Sequence, residues 1–270
     1  MPRALLLVVA LAGFIERTGF CASPDTLSYS ATSIVNAASN QSGAFAPNTF
    51  ITSYGSNLAY TTRAITDIDI HANMLPSILP GTGVSVFINH IRAHVFYVSP
   101  TQINVLIPSD AYPGPAQLQI LLDNLAGPVI PITLAATAPA LFQMDAKNAI
   151  AVHADGSLLS STAPGAAGEN IVLYGTGMGL AAPPVGYGEI PLRAAQLRDF
   201  LKFQILLDGT LVDPSRVAYA GVAPGFAGLY QINLKLPLDT GADPEIRLQT
   251  PDAISPPGIR LHVKSPVEAN

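Results

Sequence analysis

The chain has one cysteine, no tryptophan and few charges. Only 11% of its 270 residues are charged, with 13 Lys and Arg against 18 Asp and Glu for a formal net charge of −5. A coiled coil or helical bundle needs far more Glu, Lys and Arg. A generic nucleic-acid binder needs a basic face to neutralise phosphates, which this charge balance does not provide. A single cysteine, Cys21, excludes a disulfide framework. No apolar run reaches the roughly 20 residues of a membrane-spanning helix; residues 84–98 come closest and are interrupted by Asn89, His90, Arg92 and His94.

What the chain does have is hydrophobicity, at 49%, together with 22 Gly and 24 Pro. That apolar content excludes a disordered chain. The frequent breakers point to short strands joined by turns, so the expected class is all-β.

At the N-terminus, Arg3 precedes an apolar run from Ala4 to Ile15, ended by Glu16 and Arg17. This is too short to span a bilayer and reads as a secretory signal over residues 1–22. Cleavage after Cys21 or after Ala22 fits about equally, and neither site is a clean A-x-A. Cys21 also raises lipidation, against which the bulky Phe20 argues. The expected product is exported, either free or held at the cell surface.

Beyond a polar leader the sequence repeats itself once. Phe50-Ile51-Thr52-Ser53-Tyr54-Gly55 corresponds to Asn170-Ile171-Val172-Leu173-Tyr174-Gly175. Next come two hairpin signals: Val84–Ile88 followed by Asn89-His90, and Phe203–Leu207 followed by Asp208-Gly209. Asp-Gly suits a type I′ turn, whose two central residues need φ > 0, and Asn89 suits it too. The third pair is Gln102-Ile103-Asn104-Val105-Leu106 and Gln231-Ile232-Asn233-Leu234-Lys235, with about ten extra residues before the second, around Val222–Gly228. The expected organisation is a signal peptide (1–22), a linker (23–33), two immunoglobulin-like β-sandwiches (34–138 and 139–264) and a tail (265–270). Only Leu192–Leu201 has the spacing for two turns of helix.

These landmarks, with Ile34-Val35-Asn36-Ala37-Ala38-Ser39, Tyr97-Val98-Ser99-Pro100-Thr101-Gln102 and Gly228-Leu229-Tyr230-Gln231, resemble the uncharacterised Solibacter C-terminal domain family of secreted bacterial proteins. Each half also resembles a TIG-type immunoglobulin-like module. The chain departs from the family at Asn89-His90 and at Pro47-Asn48, both of which keep a residue tolerant of φ > 0. The resemblance implies an extracellular location and a β-sandwich fold, and supplies no catalytic residue.

Candidate chemistry is sparse. Gly175-Thr176-Gly177-Met178-Gly179 follows a strand as a dinucleotide loop would, but Pro183-Pro184 prevents the helix that such a loop must open, leaving a glycine turn. There is no G-x-S-x-G, and a His153–Asp155–Ser triad is weaker than a tight turn at Asp155-Gly156. Asp67, Asp69 and His71 alternate, so a strand would present all three on one face, either to a cation or simply to solvent over a buried Ile68 and Ile70. His90 and His94 are separated by the turn. The recurring Gln102/Asn104 and Gln231/Asn233 are either structural amides bonding loop backbone or contacts for a carbohydrate or peptide. No cofactor and no resident metal are expected. The expected role is a non-enzymatic binding, adhesion or assembly module meeting an unknown protein or glycan at the cell exterior. A carbohydrate-binding accessory module and a small secreted hydrolase are the alternatives.

Overall fold

A computed structural model describes residues 26–264. Among them there is no α-helix, only short 3-10 turns at Ala31–Ser33, Asp67–Asp69, Phe200–Lys202 and Pro214–Arg216. The segment read as a signal peptide (1–22), with Cys21, and the segment read as a tail (265–270) lie outside the described residues. The described residues form two units, one comprising residues 26–136 with Gly186–Ile190 and the other Thr137–Val185 with residues 191–264. Each is an immunoglobulin-like β-sandwich.

The strands of the first unit are β1 (Ile34–Asn36), β2 (Ala44–Phe45), β3 (Phe50–Tyr54), β4 (Arg63–Ala64), β5 (Val84–Ile88), β6 (Ile91–Arg92), β7 (His94–Val98), β8 (Gln102–Leu106), β9 (Gly114–Leu122), β10 (Leu125–Ala126) and β11 (Ile130–Leu134). One sheet runs β1-β3-β8-β7-β4 and the other β2-β11-β9-β5-β6, with β10 on β9. The chain changes sheets between β1 and β2. Asn36 makes this crossing: its Oδ1 accepts from the Ala38 N–H at 2.8 Å, bending the backbone out of β1. β2 then pairs parallel with β11. Alternating side chains from both sheets fill the core, among them Ile51, Val86, Ile103, Val105 and Ile120, all fully buried. The segment read as a linker takes part: Tyr29 is buried, donates to the Pro128 carbonyl at 2.6 Å and accepts from the Ile120 N–H at 2.8 Å.

In the second unit the strands are β12 (Ala140–Leu141), β13 (Ala151–His153), β14 (Asn170–Thr176), β15 (Ala181–Ala182), β16 (Ala195–Leu197), β17 (Gln204–Leu207), β18 (Thr210–Leu211), β19 (Val217–Val222), β20 (Tyr230–Lys235) and β21 (Ile246–Gln249). The large sheet runs β12-β14-β20-β19-β16-β15 with β13 on β14, and the small one β18-β17-β21. The order β3-β8-β7 of the first unit recurs as β14-β20-β19, and β9-β5-β6 recurs as β21-β17-β18. The core of this unit includes Leu173, Ile205, Ile232, Leu234, Ile246 and Leu248.

Both hairpins form at the expected turns. Asn89 and His90 have φ of 46° and 67°, and Asp208 and Gly209 have 46° and 76°, the positive pair of a type I′ turn. Each turn also ties down the neighbouring strand, since Asn89 Oδ1 accepts from the Gln117 N–H and Asp208 Oδ1 from the Glu245 N–H. The helix expected over Leu192–Leu201 is absent. Ala195–Leu197 instead forms β16, paired with β15 and β19, because sheet pairing of a short apolar segment outweighs a weak helical spacing.

Candidate functional site

The repeated amides occupy matching positions. Tyr54 lies opposite Gln102 and Thr52 opposite Asn104; in the second unit Tyr174 lies opposite Gln231 and Val172 opposite Asn233. Residues two apart on a strand share a face, so both amides of each pair point to the outer side, away from the isoleucine between them. They bond each other: Gln102 Nε2 donates to Asn104 Oδ1 at 2.9 Å, and Gln231 Nε2 to Asn233 Oδ1 at 2.7 Å.

A further tyrosine joins each pair from the opposite flank. β7 carries a bulge at Phe96 and β19 one at Ala218, which bring Tyr97 opposite Asn104 and Tyr219 opposite Asn233. The result in each sandwich is a glutamine and an asparagine on a central strand, flanked by tyrosines on the two neighbouring strands. The amides are legible in the sequence. The second tyrosine is not, because the bulge depends on pairing and the turn after it is longer in the second half, where Ala223–Leu229 replaces Ser99–Thr101.

The surroundings differ. In the first unit the same face carries Phe50, Phe96, Leu106 and His94. Phe50 and Phe96 pack edge to face with ring centroids 5.4 Å apart, and Asn104 is fully buried. The register puts Asn170, Ala218, Lys235 and Arg216 at the corresponding positions of the second unit. Asn170, Ala218 and Lys235 are exposed, while Tyr174, Tyr219, Gln231 and Asn233 are half-buried. This is an accessible face with defined polar groups.

Each of those groups has a fixed setting. The Tyr219 hydroxyl is within hydrogen-bond reach of the carbonyls of Ala195 (3.0 Å) and Val222 (2.8 Å), so the side chain lies along the sheet. It passes over Gly221, where a Cβ would come within 2.6 Å of the hydroxyl and 2.3 Å of the Ala195 carbonyl oxygen. Burial raises the pKa of Tyr219, against the opposing pull of the Ala195 carbonyl bond, and burial raises that of Tyr174. Both are neutral hydroxyls at neutral pH. Among the described residues the Tyr174 hydroxyl, Gln231 Oε1 and Asn233 Nδ2 have no partner within the chain, which leaves two hydrogen-bond donors and an acceptor facing outward. Arg216 Nη1 donates to the Leu236 carbonyl at 3.2 Å, which holds its guanidinium beside Lys235.

The other sequence candidates do not converge. Asp67–Asp69 is a 3-10 turn, not a strand, so Asp67, Asp69 and His71 share no face and Ile68 is exposed at 79%. Asp69 faces inward instead. Its Oδ2 accepts from the Thr66 N–H (2.9 Å) and hydroxyl (2.8 Å), and its Oδ1 pairs with Arg63 at 2.5 Å. The Thr66 hydroxyl bond first, and then the Thr66 amide and Arg63 against burial, hold its carboxyl below the usual range. Among the described residues no group of three or more His, Cys, Asp or Glu side chains gathers to hold a metal ion.

His153 is likewise committed. Its Nδ1 meets Glu169 Oε1 at 2.5 Å and its Nε2 meets the Ala163 carbonyl at 3.2 Å, leaving neither nitrogen to act on a serine. Asp155 accepts from the Ser157 N–H and hydroxyl in its own turn. His90 sits in the first hairpin turn, whereas His94 packs edge to face on Tyr187, centroids 4.4 Å apart. The Gly175–Gly179 loop runs on to strand β15, with Gly177 and Gly179 at positive φ and no helix to receive a pyrophosphate.

No protein-family model matches the chain, and no curated protein sequence matches it. Among solved structures it is similar to SGBP-B of the Bacteroides ovatus mixed-linkage glucan utilization locus, solved with a mixed-linkage heptasaccharide (12% identity, 88% of this chain and 42% of that one, TM-score 0.32). It is also similar to the surface glycan-binding protein PbSGBP-B of Prevotella bryantii (13% identity, 87% and 41%, TM-score 0.25) and to the tandem Ig repeats of Dlar (12% identity, 82% and 92%, TM-score 0.20). The chain spans less than half the length of the first two. Similarity of this strength assigns no ligand to it.

Proposed function

We propose that this chain is an extracellular binding module whose contact surface is the outer face of β14, β20 and β19. One observation carries this reading. The Tyr–Gln–Asn–Tyr group is kept in both sandwiches, yet only in the second is it surrounded by exposed polar residues with hydrogen-bonding capacity unspent. In the first, aromatic packing closes the same face and the amides serve the fold. Non-enzymatic binding suits a site with ring faces, amides and cations but no nucleophile beside a free base. The signal-like N-terminus and the resemblance to the Solibacter C-terminal domain family favour work at the cell exterior, whether free or surface-held.

The test is a pull-down of the purified protein against insoluble polysaccharides and the producer's envelope fractions, read by mass spectrometry. Specific retention that Tyr174→Ala and Gln231→Ala abolish, at unchanged melting temperature, supports the reading. Retention that survives both substitutions moves the contact elsewhere and overturns it.

A further inference from the structure

We infer that this face takes an acidic polysaccharide, a chain of sugar rings bearing carboxylates; the inference rests on the reading of the face as a binding surface. Its first support is the geometry of the sheet. β20 is paired on one side with β14 and on the other with β19, and β19 is paired with β16. β20, which carries both amides, has no free backbone edge, although β19 meets β16 only at Gly221 and Val222, so a peptide cannot be held beside the amides by strand addition. Recognition falls to side chains projecting from a flat surface.

Those side chains suit sugars. Tyr174 and Tyr219 stand on strands two spacings apart, about 10 Å, with Gln231 and Asn233 between them. That separation exceeds one sugar ring, so the occupant is a chain rather than a monosaccharide. Ring C–H faces pack on tyrosine. Hydroxyl groups both donate and accept, matching Gln231 Oε1, Asn233 Nδ2 and the Tyr174 hydroxyl.

Charge then selects among sugars. Between the two sandwiches, Leu106 is replaced by Lys235 and His94 by Arg216, placing two cations at one end of a face on a protein of net charge −5. Arg63 pairs with Asp69, and Arg198 and Lys202 with Asp199, while the other Lys and Arg of the described residues make no ion pair; what sets Lys235 and Arg216 apart is that they stand side by side on the tyrosine-and-amide face. Among the described residues Lys235 and Arg216 make no ion pair within 4 Å. Asp213, the carboxylate whose pKa Arg216 helps to lower, accepts first from the Ser215 N–H. Two unpaired cations beside an amide-and-tyrosine surface complement a carboxylate carried on a sugar. A phosphate backbone would call for many more.

The experiment is calorimetric titration of the whole protein with polygalacturonate, a neutral β-glucan and poly-glutamate, at low and at high salt. Polygalacturonate is expected to bind best and to weaken with salt. Lys235→Glu should weaken it by about fivefold or more, and Tyr174→Ala by about tenfold. Arg92→Glu, the same charge change on the first sandwich, should leave it unaltered. Lys235→Gln guards against misfolding and should give an intermediate loss at unchanged melting temperature. Equal binding of neutral glucan, indifferent to Lys235→Glu, overturns the acidic class and leaves the binding face standing. Poly-glutamate binding as tightly as polygalacturonate overturns the sugar. If none of the three binds while envelope retention still depends on Tyr174, this inference fails alone; if that retention fails as well, both fail.

Discussion

Gln231 donates to Asn233 Oδ1 at 2.7 Å, and Gln102 repeats the bond to Asn104 at 2.9 Å in the other sandwich. One bond serves two environments, so the same substitution should have two consequences. Asn104 is fully buried, and Asn104→Ala removes a buried hydrogen-bonding group and the partner of the Gln102 amide, at a cost of about 1–3 kcal/mol in denaturant unfolding. Asn233 is half-buried, and Asn233→Ala should cost less than about 1 kcal/mol while removing retention on the bound material. Equal stability losses would contradict the division between a structural and a binding pair.

The first hairpin allows a test by improvement. His90 holds φ of 67° at the position where the second hairpin has Gly209 at 76°. A non-glycine residue in this region is strained by about 1–2 kcal/mol, partly offset by the extra freedom glycine has when unfolded. His90→Gly should therefore stabilise the first sandwich by about 0.5–1 kcal/mol, seen as a higher denaturant midpoint with an unchanged m-value. Stability equal to or below the parent would mean that His90 contributes a contact outweighing its strain.

These turns were readable because their chemistry is local: Asn or Asp before a φ-positive residue, between alternating strands, leaves few other conformations. The segment Asp67–His71 was misread for the opposite reason. Alternating Asp-Ile-Asp-Ile fits a strand, but Thr66-Asp67-Ile68-Asp69 also fits a capping box, and the Thr66 and Asp69 side chains complete one. The bulges at Phe96 and Ala218 carry no local signal, so Tyr97 and Tyr219 joined the amides only once strand pairing was known.

Calcium or a chelator should leave the melting curve unchanged. The Asp69 carboxylate is occupied on both oxygens by Thr66 and Arg63, so a cation would have to displace a guanidinium already paired at 2.5 Å. Asp67 and His71 lie on neither the same strand nor the same face to help it. A metal-dependent rise in melting temperature that Asp67→Asn removes would contradict this.

Gly188 carries a demand that no other residue meets. At φ 71°, it places its missing side chain 2.2 Å from His94 Nε2, and its carbonyl accepts from the Leu75 N–H at 2.9 Å. The neighbouring Tyr187 hydroxyl donates to the Arg92 carbonyl and accepts from the His94 N–H. Gly188→Ala should therefore release Gly186–Ile190 from the rest of its unit, raising hydrogen exchange at Leu75 and Ile190 by about tenfold or more, the size of a 1–2 kcal/mol strain. Unchanged exchange at both amides would show that the segment is held some other way.

Two histidines make opposite predictions about pH. The Glu169 hydrogen bond chiefly raises the pKa of His153, helped by the Ala163 carbonyl and Asp155 and opposed by burial. Glu169 is itself held below its ordinary value, since bonds from the Ala166 N–H and His153 outweigh its burial. A histidine raised on folding stabilises fully below its unfolded pKa of about 6.5, and that contribution is lost as the pH climbs through the folded value. His94 is depressed, mainly by burial. The Leu75 and Pro76 carbonyls nearby favour protonation, but neither closes a hydrogen bond to its buried Nδ1. Its neutral form is therefore stabilising above about pH 6.5, and that stability falls as the pH drops toward the lowered folded value. Hydrogen exchange followed from pH 5 to 9 should show protection fading at Val95 on the acid side and at Leu159 on the alkaline side. His153→Gln should flatten the alkaline loss alone, a difference of about 1 kcal/mol at most for a pair this close to solvent. Loss at both amides on the same side of neutrality would refute the assignment.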